Sequence, residues 1–267
     1  MGSMRALAVL HPGAMGLAVA ACLVGRGHEV GWLRPGRSEA TLRRAAQAGL
    51  TPFDDLAELL AHADHVFSIC PPHGALDLAE ALAGFGGIVV DANAISPEAS
   101  LLIGRTVNGG GGRYVDGGII GPPPVTAGTT RLYLAGDDGE VANLFAGSAL
   151  DAVSLTGAVP AASALKMTYA AWTKTTAALL VSIRDTAAAY GVDVDLASEW
   201  AISQPHLAEA WLRARQQSQE KGWRWSYELA EVGRTFAAIG QPEGFGAAAS
   251  EVFAASSSDD LPGVGGH

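Results

Sequence analysis

Val9-Leu10-His11-Pro12-Gly13-Ala14-Met15-Gly16 is the stretch on which the reading of this chain turns. It ends a β-rich run, Arg5–Leu10, and leads into a helical segment. A strand that enters a glycine-containing turn and then a helix offers the first N–H groups and the positive dipole end of that helix to an anion, and this is how a dinucleotide pyrophosphate is held. Gly13 lets the backbone come close to the phosphates, and Gly16 lets the helix pack tightly on the sheet. His11 stands where the first glycine of G-x-G-x-x-G belongs, so the motif is incomplete and draws its force from its place behind a clean strand. His11, Pro12, Gly13, Ala14, Met15 and Gly16 are therefore candidate cofactor-binding residues. The alternative is a plain strand-to-helix turn.

Outward from this motif the first half alternates short β-rich runs with helical stretches, the pattern of βαβ units in a parallel sheet. The expected strands are Arg5–Leu10, Glu29–Leu33, His65–Ile69, Gly87–Asp91, Arg113–Gly117 and Arg131–Ala135. Ser38, the pair Asp54 and Asp55, and Ser96 before Pro97-Glu98 each offer an N-cap to a following helix. Beyond Gly157 and Pro160 no segment has strand character. Ala161–Tyr190 reads as one long helix, Gln204-Pro205 opens another, Trp223–Ile239 forms a third, and Gly240-Gln241-Pro242 stops one helix and starts the next. The expected fold class is thus an α/β N-terminal Rossmann domain with a mostly parallel sheet, residues 4–157, followed by an all-α domain, 158–255, and a loose tail, 256–267.

The end of the second strand selects the cofactor. An acidic residue there would bond the adenosine ribose hydroxyls, whereas basic residues would receive a 2′-phosphate. The sequence has Leu33-Arg34-Pro35-Gly36-Arg37-Ser38. Arg34, Arg37 and Ser38 favour NADP(H) over NAD(H), against the plainer reading of arginines solvated on a loop.

Bulk properties narrow the remaining classes. A hydrophobic fraction of 49% with 16% charged residues excludes a largely disordered chain, and a net charge of −10 argues against a nucleic-acid surface. No run reaches the roughly 20 apolar residues of a membrane span. Met1-Gly2-Ser3 ahead of Met4 reads as a cloning remnant rather than a signal peptide. Cys22 and Cys70 lie in apolar runs with no ligand or disulfide spacing, which suits a reducing, cytoplasmic setting. The histidines are scattered, and no metal site is expected. The helical half carries Trp172, Trp200, Trp211, Trp223, Trp225 and Phe236, and a homodimer through that half is the expected assembly.

His11–Gly16, Gly36-Arg37-Ser38, Asp91-Ala92-Asn93-Ala94-Ile95-Ser96-Pro97, Asp116-Gly117-Gly118-Ile119-Ile120-Gly121-Pro122-Pro123 and Ala164-Leu165-Lys166-Met167-Thr168-Tyr169-Ala170-Ala171-Trp172 occur in this order. Together they resemble a branch of the β-hydroxyacid dehydrogenase superfamily, related to phosphogluconate dehydrogenase, with a C-terminal domain of unassigned function. The resemblance spans about residues 4–255. It implies that Cys70, Pro71 and Asn93 line the nicotinamide side of the cleft.

Hydride transfer to a carbonyl leaves charge on oxygen, so a proton donor is needed beside it, and a partly desolvated lysine can serve. Lys166, one turn into the long helix, is the candidate. The resemblance agrees: relatives carry G-x-x-G-x-G-x-x-x-K-x-x-x-N, with Gly157 and Lys166 at two of its positions. Pro160 and Ala162 replace glycines, and Ala170 replaces the asparagine that helps hold substrate. The substrate-carboxylate loop, usually ending Ser-Gly-Gly, reads Ile120-Gly121-Pro122. Ile119, Ile120, Gly121, Pro122, Tyr169 and Ala170 then imply a bulkier or less polar small-molecule substrate than a simple β-hydroxy acid. Lys174 and the cluster of Trp223-Arg224-Trp225 with Glu228 read either as packing or as pocket residues. The leading expectation is an NADPH-dependent oxidoreductase acting on a carbonyl or alcohol. Its rivals are C=N reduction on the same scaffold and a non-catalytic NADPH-binding sensor.

Overall fold

The computed structural model describes residues 6–258; residues 1–5, Met1-Gly2-Ser3 among them, and 259–267 lie outside it. Two compact units make up the chain, one running to Lys166 and the other starting at Met167.

The first unit is an eight-stranded sheet in the order β3-β2-β1-β4-β5-β6-β7-β8. Its strands are β1 (Ala6–Val9), β2 (Glu29–Leu33), β3 (Thr51–Phe53), β4 (His65–Ser68), β5 (Ile88–Asp91), β6 (Arg113–Ile120), β7 (Thr130–Ala135) and β8 (Leu150–Ser154). Only β6 and β7 pair antiparallel. The helices between them are α1 (Ala14–Gly25), α2 (Glu39–Gln47), α3 (Leu56–His62), α4 (Ala75–Ala81), α5 (Pro97–Gly109) and α6 (Glu140–Leu144). The order reverses at β1, from which the chain winds outward in both directions, and a doubly wound sheet binds its ligand at the carboxyl ends beside such a reversal.

Alternation along each strand builds two cores. Leu7, Val9, Phe67, Val90 and Val115 pack on one face with Val19 and Leu23 of α1. Ala8, Leu10, Val66, Val89 and Tyr114 pack on the other with Leu59, Ile103 and Val107. Burial on both faces is why the central strands read as unbroken apolar runs.

Sequence reading places six strands here, and the structure has two more, β3 and β8. Both are edge strands, and neither has a clean apolar run: β3 is Thr51-Pro52-Phe53, with proline tolerated at an edge, and β8 begins Leu150-Asp151. The three expected caps are all present. Ser38 Oγ accepts from the Thr41 N–H, Asp55 from Glu58 and Ser96 from Ala99.

The helical unit begins within a continuous helical run made of α7 (Ala161–Ala170), a π turn at Ala171–Thr175 and α8 (Thr176–Ala189). The expected single helix is therefore one run with a π turn inside it, a feature common at functional sites. It is followed by α9 (Asp193–Ser203), α10 (Leu207–Ala237) and α11 (Gly244–Ser258). The two helices expected after Gln204-Pro205 and at Trp223 are one helix of 31 residues, α10, because nothing between them interrupts the backbone ladder. Gly240, at φ +76°, takes the left-handed conformation that stops α10. Trp225 meets Phe253 edge-on at 5.2 Å in the core of this unit. Gly246 lies against α10 so closely that a Cβ there would come within 2.6 Å of the Leu229 carbonyl oxygen.

Candidate active site

The turn after β1 has the form an anion needs. Gly13 precedes α1 in extended conformation, no side chain caps that helix, and its first turn contains no acidic residue. The first N–H groups are thus not satisfied by a local side chain. A Cβ added at Gly13 would meet nothing within 4 Å, so the cradle is open there, whereas one at Gly16 would run into the His11 carbonyl oxygen. His11 itself is half-buried, with its Nδ1 lacking a hydrogen-bond partner. Burial and then the charge of Arg37 push its imidazole down to about 4, so the ring is neutral near pH 7. An uncapped helix start, an open glycine and an orphaned imidazole nitrogen fit a dinucleotide pyrophosphate.

At the end of β2 the three selected residues take separate roles. Arg37 leans back over the carboxyl ends of β1 and β2 and donates to the Leu10 and Leu33 carbonyls at 3.4 Å each. Ser38 caps α2. Arg34 donates from Nε to Asp54 Oδ1 at 2.7 Å and from Nη2 to Oδ2. The segment Leu33–Ser38 contains no carboxylate, and the expectation that none is available at the end of β2 is corrected by Asp54, which the pairing of β2 with β3 brings to Arg34.

Cys70 and Asn93 are joined at the ends of β4 and β5. Asn93 Oδ1 accepts the Cys70 N–H at 2.6 Å, its Nδ2 donates to Ser68 Oγ at 2.7 Å, and its N–H donates to Asp91 Oδ1 at 2.9 Å. The Asn93 amide therefore ties two strand ends together. Burial and then the charge of Asp91 push the Cys70 thiol up to about 12, which keeps it protonated and makes it a poor nucleophile. Pro71 leaves β4 in extended conformation and opens a short 3-10 turn, Pro72–Gly74.

Lys166 is set by β6. Asp116, fully buried, accepts the N–H groups of Ala162 at 2.8 Å and Ser163 at 3.0 Å, together with the hydroxyls of Ser163 and Ser100. A strand residue thereby supplies the N-terminal partner that α7 lacks in its own sequence. One turn along, Lys166 sits over Gly118, where an added Cβ would lie 3.1 Å from the lysine Cβ and 2.7 Å from the Ala162 carbonyl oxygen. Gly118 follows Asp116, which pairs with Asp91 at the end of β5, so the lysine stands at the carboxyl ends of the strands. Sequence reading missed Asp116 as the anchor of this helix. The signal was a carboxylate inside the run Tyr114-Val115-Asp116-Gly117-Gly118-Ile119, where a buried charge demands partners.

Ile119 and Ile120 follow in β6, both buried, with Ile119 in the core shared with Val115. Gly121, at φ +129°, has no room for a Cβ beside the Thr129 carbonyl, and Pro122 accepts a hydrogen bond from the Thr130 hydroxyl. In the helical unit Ala170 is buried and Tyr169 is half exposed. There the π turn carries Lys174 to an ion pair with Glu228, 5.5 Å over the Trp225 ring, with Arg224 Nε 3.9 Å from the same carboxylate. Lys174 and the tryptophan-rich cluster, separate in sequence, are thus one assembly. Among the described residues no group of three or more His, Cys, Asp or Glu is arranged to hold a metal, and no helix is long and apolar enough to cross a membrane.

Residues 187–256 match the family model described as a domain of unknown function, DUF1932. No curated protein matches the chain. Among solved structures, the chain is similar to MTH1747, a conserved protein of unknown function with structural similarity to 3-hydroxyacid dehydrogenases, at 25% identity over 95% of this chain and 97% of the other, with a TM-score of 0.72. It shares its fold with the 3-hydroxyisobutyrate dehydrogenase of Mycobacterium tuberculosis, at 19% identity over 96% and 95% of the two chains and a TM-score of 0.72. The same holds for the reductive aminase of Aspergillus terreus in complex with NADPH and ethyl levulinate, at 13% identity over 97% and 95% and a TM-score of 0.61. With its doubly wound sheet and its C-terminal helices, the chain shares the fold of these dehydrogenases, and its residues 187–256 match the DUF1932 model.

Proposed function

We propose that the chain is an NADPH-dependent oxidoreductase that moves hydride to or from the carbonyl or alcohol carbon of a small molecule, with Lys166 as its general acid and base. The observation that carries this reading is the seat of Lys166 on Gly118, at the same end of the sheet as the uncapped start of α1. A bound nicotinamide would supply the hydride in reduction and accept it in oxidation. The chain's own part is to hold the pyrophosphate at Gly13–Gly16 and to keep a proton on Lys166 Nζ for the substrate oxygen. In reduction that proton passes to the oxygen as the C=O bond becomes C–OH; in oxidation the neutral amine takes it back. Arg37 and Arg34 support the 2′-phosphate assignment by charge, and the reductive aminase of the same fold binds NADPH. Ile120, on the same face of β6 as Gly118, supports a less polar substrate than a β-hydroxy acid. We also propose that two copies associate through the helical unit.

Removing Lys166 is the direct test. Lys166→Ala is expected to lower kcat by about 10²–10⁴-fold on whichever carbonyl substrate is turned over, since that is the range of a positioned acid or base. NADPH affinity, measured by fluorescence titration, should change little. Lys166→Arg should be equally slow, because a guanidinium keeps the charge yet does not give up its proton. Activity retained in either variant would defeat the role assigned to Lys166. Turnover of cyclic imines with no turnover of any ketone would favour C=N chemistry instead.

A further inference from the structure

The Leu33–Phe53 pairing and the hydrogen bond from the Arg34 N–H to the Phe53 carbonyl, at 2.9 Å, bring Arg34 and Asp54 off adjacent strands side by side. Asp55, not Asp54, caps α3, so both Asp54 oxygens are given to Arg34. The pair is open to solvent, with 49% of the arginine side chain and 63% of the carboxylate exposed. Its geometry is the side-on fork by which a guanidinium also takes a phosphate.

From this juxtaposition we infer that Asp54 is a specificity-setting residue: it competes with the 2′-phosphate for Arg34 and so weakens the preference for NADPH over NADH. The inference rests on the NADP reading of the β2 end. An incoming 2′-phosphate, with a charge of about −1.5 to −2, meets a carboxylate on the edge of the guanidinium that it needs. It must displace Asp54 or sit beside it against like-charge repulsion. A 2′-hydroxyl has the opposite experience, because Asp54 offers it the acceptor that an acidic residue at the end of β2 supplies in NAD-binding sheets. One effect runs the other way, since Asp54 also orients Arg34. Exposed pairs order their side chains weakly, whereas repulsion acts in every conformation, so competition wins.

The test is a set of equilibrium titrations of the full chain with NADPH and with NADH, on wild type, Asp54→Asn, Asp54→Ala and Arg34→Ala/Asp54→Ala. Both single variants are expected to bind NADPH about 3- to 10-fold more tightly, with NADH unchanged or weaker, as suits the loss of one exposed like charge. The gain should shrink when ionic strength rises from about 0.05 to 0.3 M, where screening shortens the reach of the charge. It should be smaller in the double variant, which lacks the contested guanidinium. NADPH binding unchanged or weakened in both single variants overturns the inference. Failure of the NADP reading appears elsewhere, in wild type binding NADPH no more tightly than NADH and in Arg37→Ala weakening both equally. One outcome compares cofactors within a protein and the other compares proteins for one cofactor, so each idea fails on its own measurement.

Discussion

Asp91 shows how a single buried carboxyl shapes this sheet. It lies at the end of β5, almost fully buried, and is pushed up to about 7, first by burial and further by the charge of Asp116, with the Asn93 N–H pulling the other way. In the unfolded chain the same carboxyl ionises near 4. Between about pH 4 and 7 the unfolded state therefore releases a proton that the folded state keeps, and stability falls as pH rises through that window, levelling off above it. Asp91→Asn keeps an acceptor for the Asn93 N–H and removes the titration. The variant is expected to be more stable than wild type at pH 8 by on the order of a few kcal/mol, with the gap closing toward pH 4. Urea unfolding at several pH values reads this directly, and a gap that does not change with pH would rule it out. Sequence reading selects Asn93 beside it as a cofactor residue but has no means of seeing that its amide is engaged with Ser68 and Cys70. Those partners are 25 and 23 residues away along the chain.

Helix α7 carries Lys166, the proposed general acid and base, and its start is defined by tertiary contact. Ala161–Ala170 begins behind Pro160 with no Ser, Thr, Asp or Asn at a capping position, yet two of its first N–H groups are satisfied by Asp116. Asp116→Ala would leave those N–H groups and two hydroxyls without their carboxylate. We expect a loss of about 2–5 kcal/mol of stability in denaturant unfolding, the range for breaking a buried hydrogen-bonded network. A loss within about 0.5 kcal/mol, typical of a surface change, would show that α7 does not rely on this anchor. The helices α2, α3 and α5, by contrast, carry their caps in their own sequence, and all three were legible from it. A local side chain suffices for them because α2, α3 and α5 begin in loops, with the capping residue one position ahead.

At the scale of the molecule, the helical unit leaves Leu179 and Phe245 more than half exposed beside Ala178, Ala248 and Val252 along α8 and α11. An exposed apolar strip of this kind supports the proposed homodimer. Light scattering is expected to return twice the chain mass for wild type and the single-chain mass for Leu179→Glu/Phe245→Glu, with helicity unchanged; a monomeric wild type would end the proposal. The Rossmann class, the strand-to-helix turn at His11–Gly16, the central strands and three helix caps were determined by sequence alone. Each is local: an apolar period, a glycine at a turn, or a hydroxyl one residue ahead of a helix. Only the tertiary structure decided that β3 and β8 complete the sheet, that Asp54 faces Arg34, that Asp116 anchors the helix of Lys166, and that Lys174 pairs with Glu228. These depend on strand order and helix packing, which bring together residues 20 to 54 positions apart, and no local pattern encodes where such partners will meet.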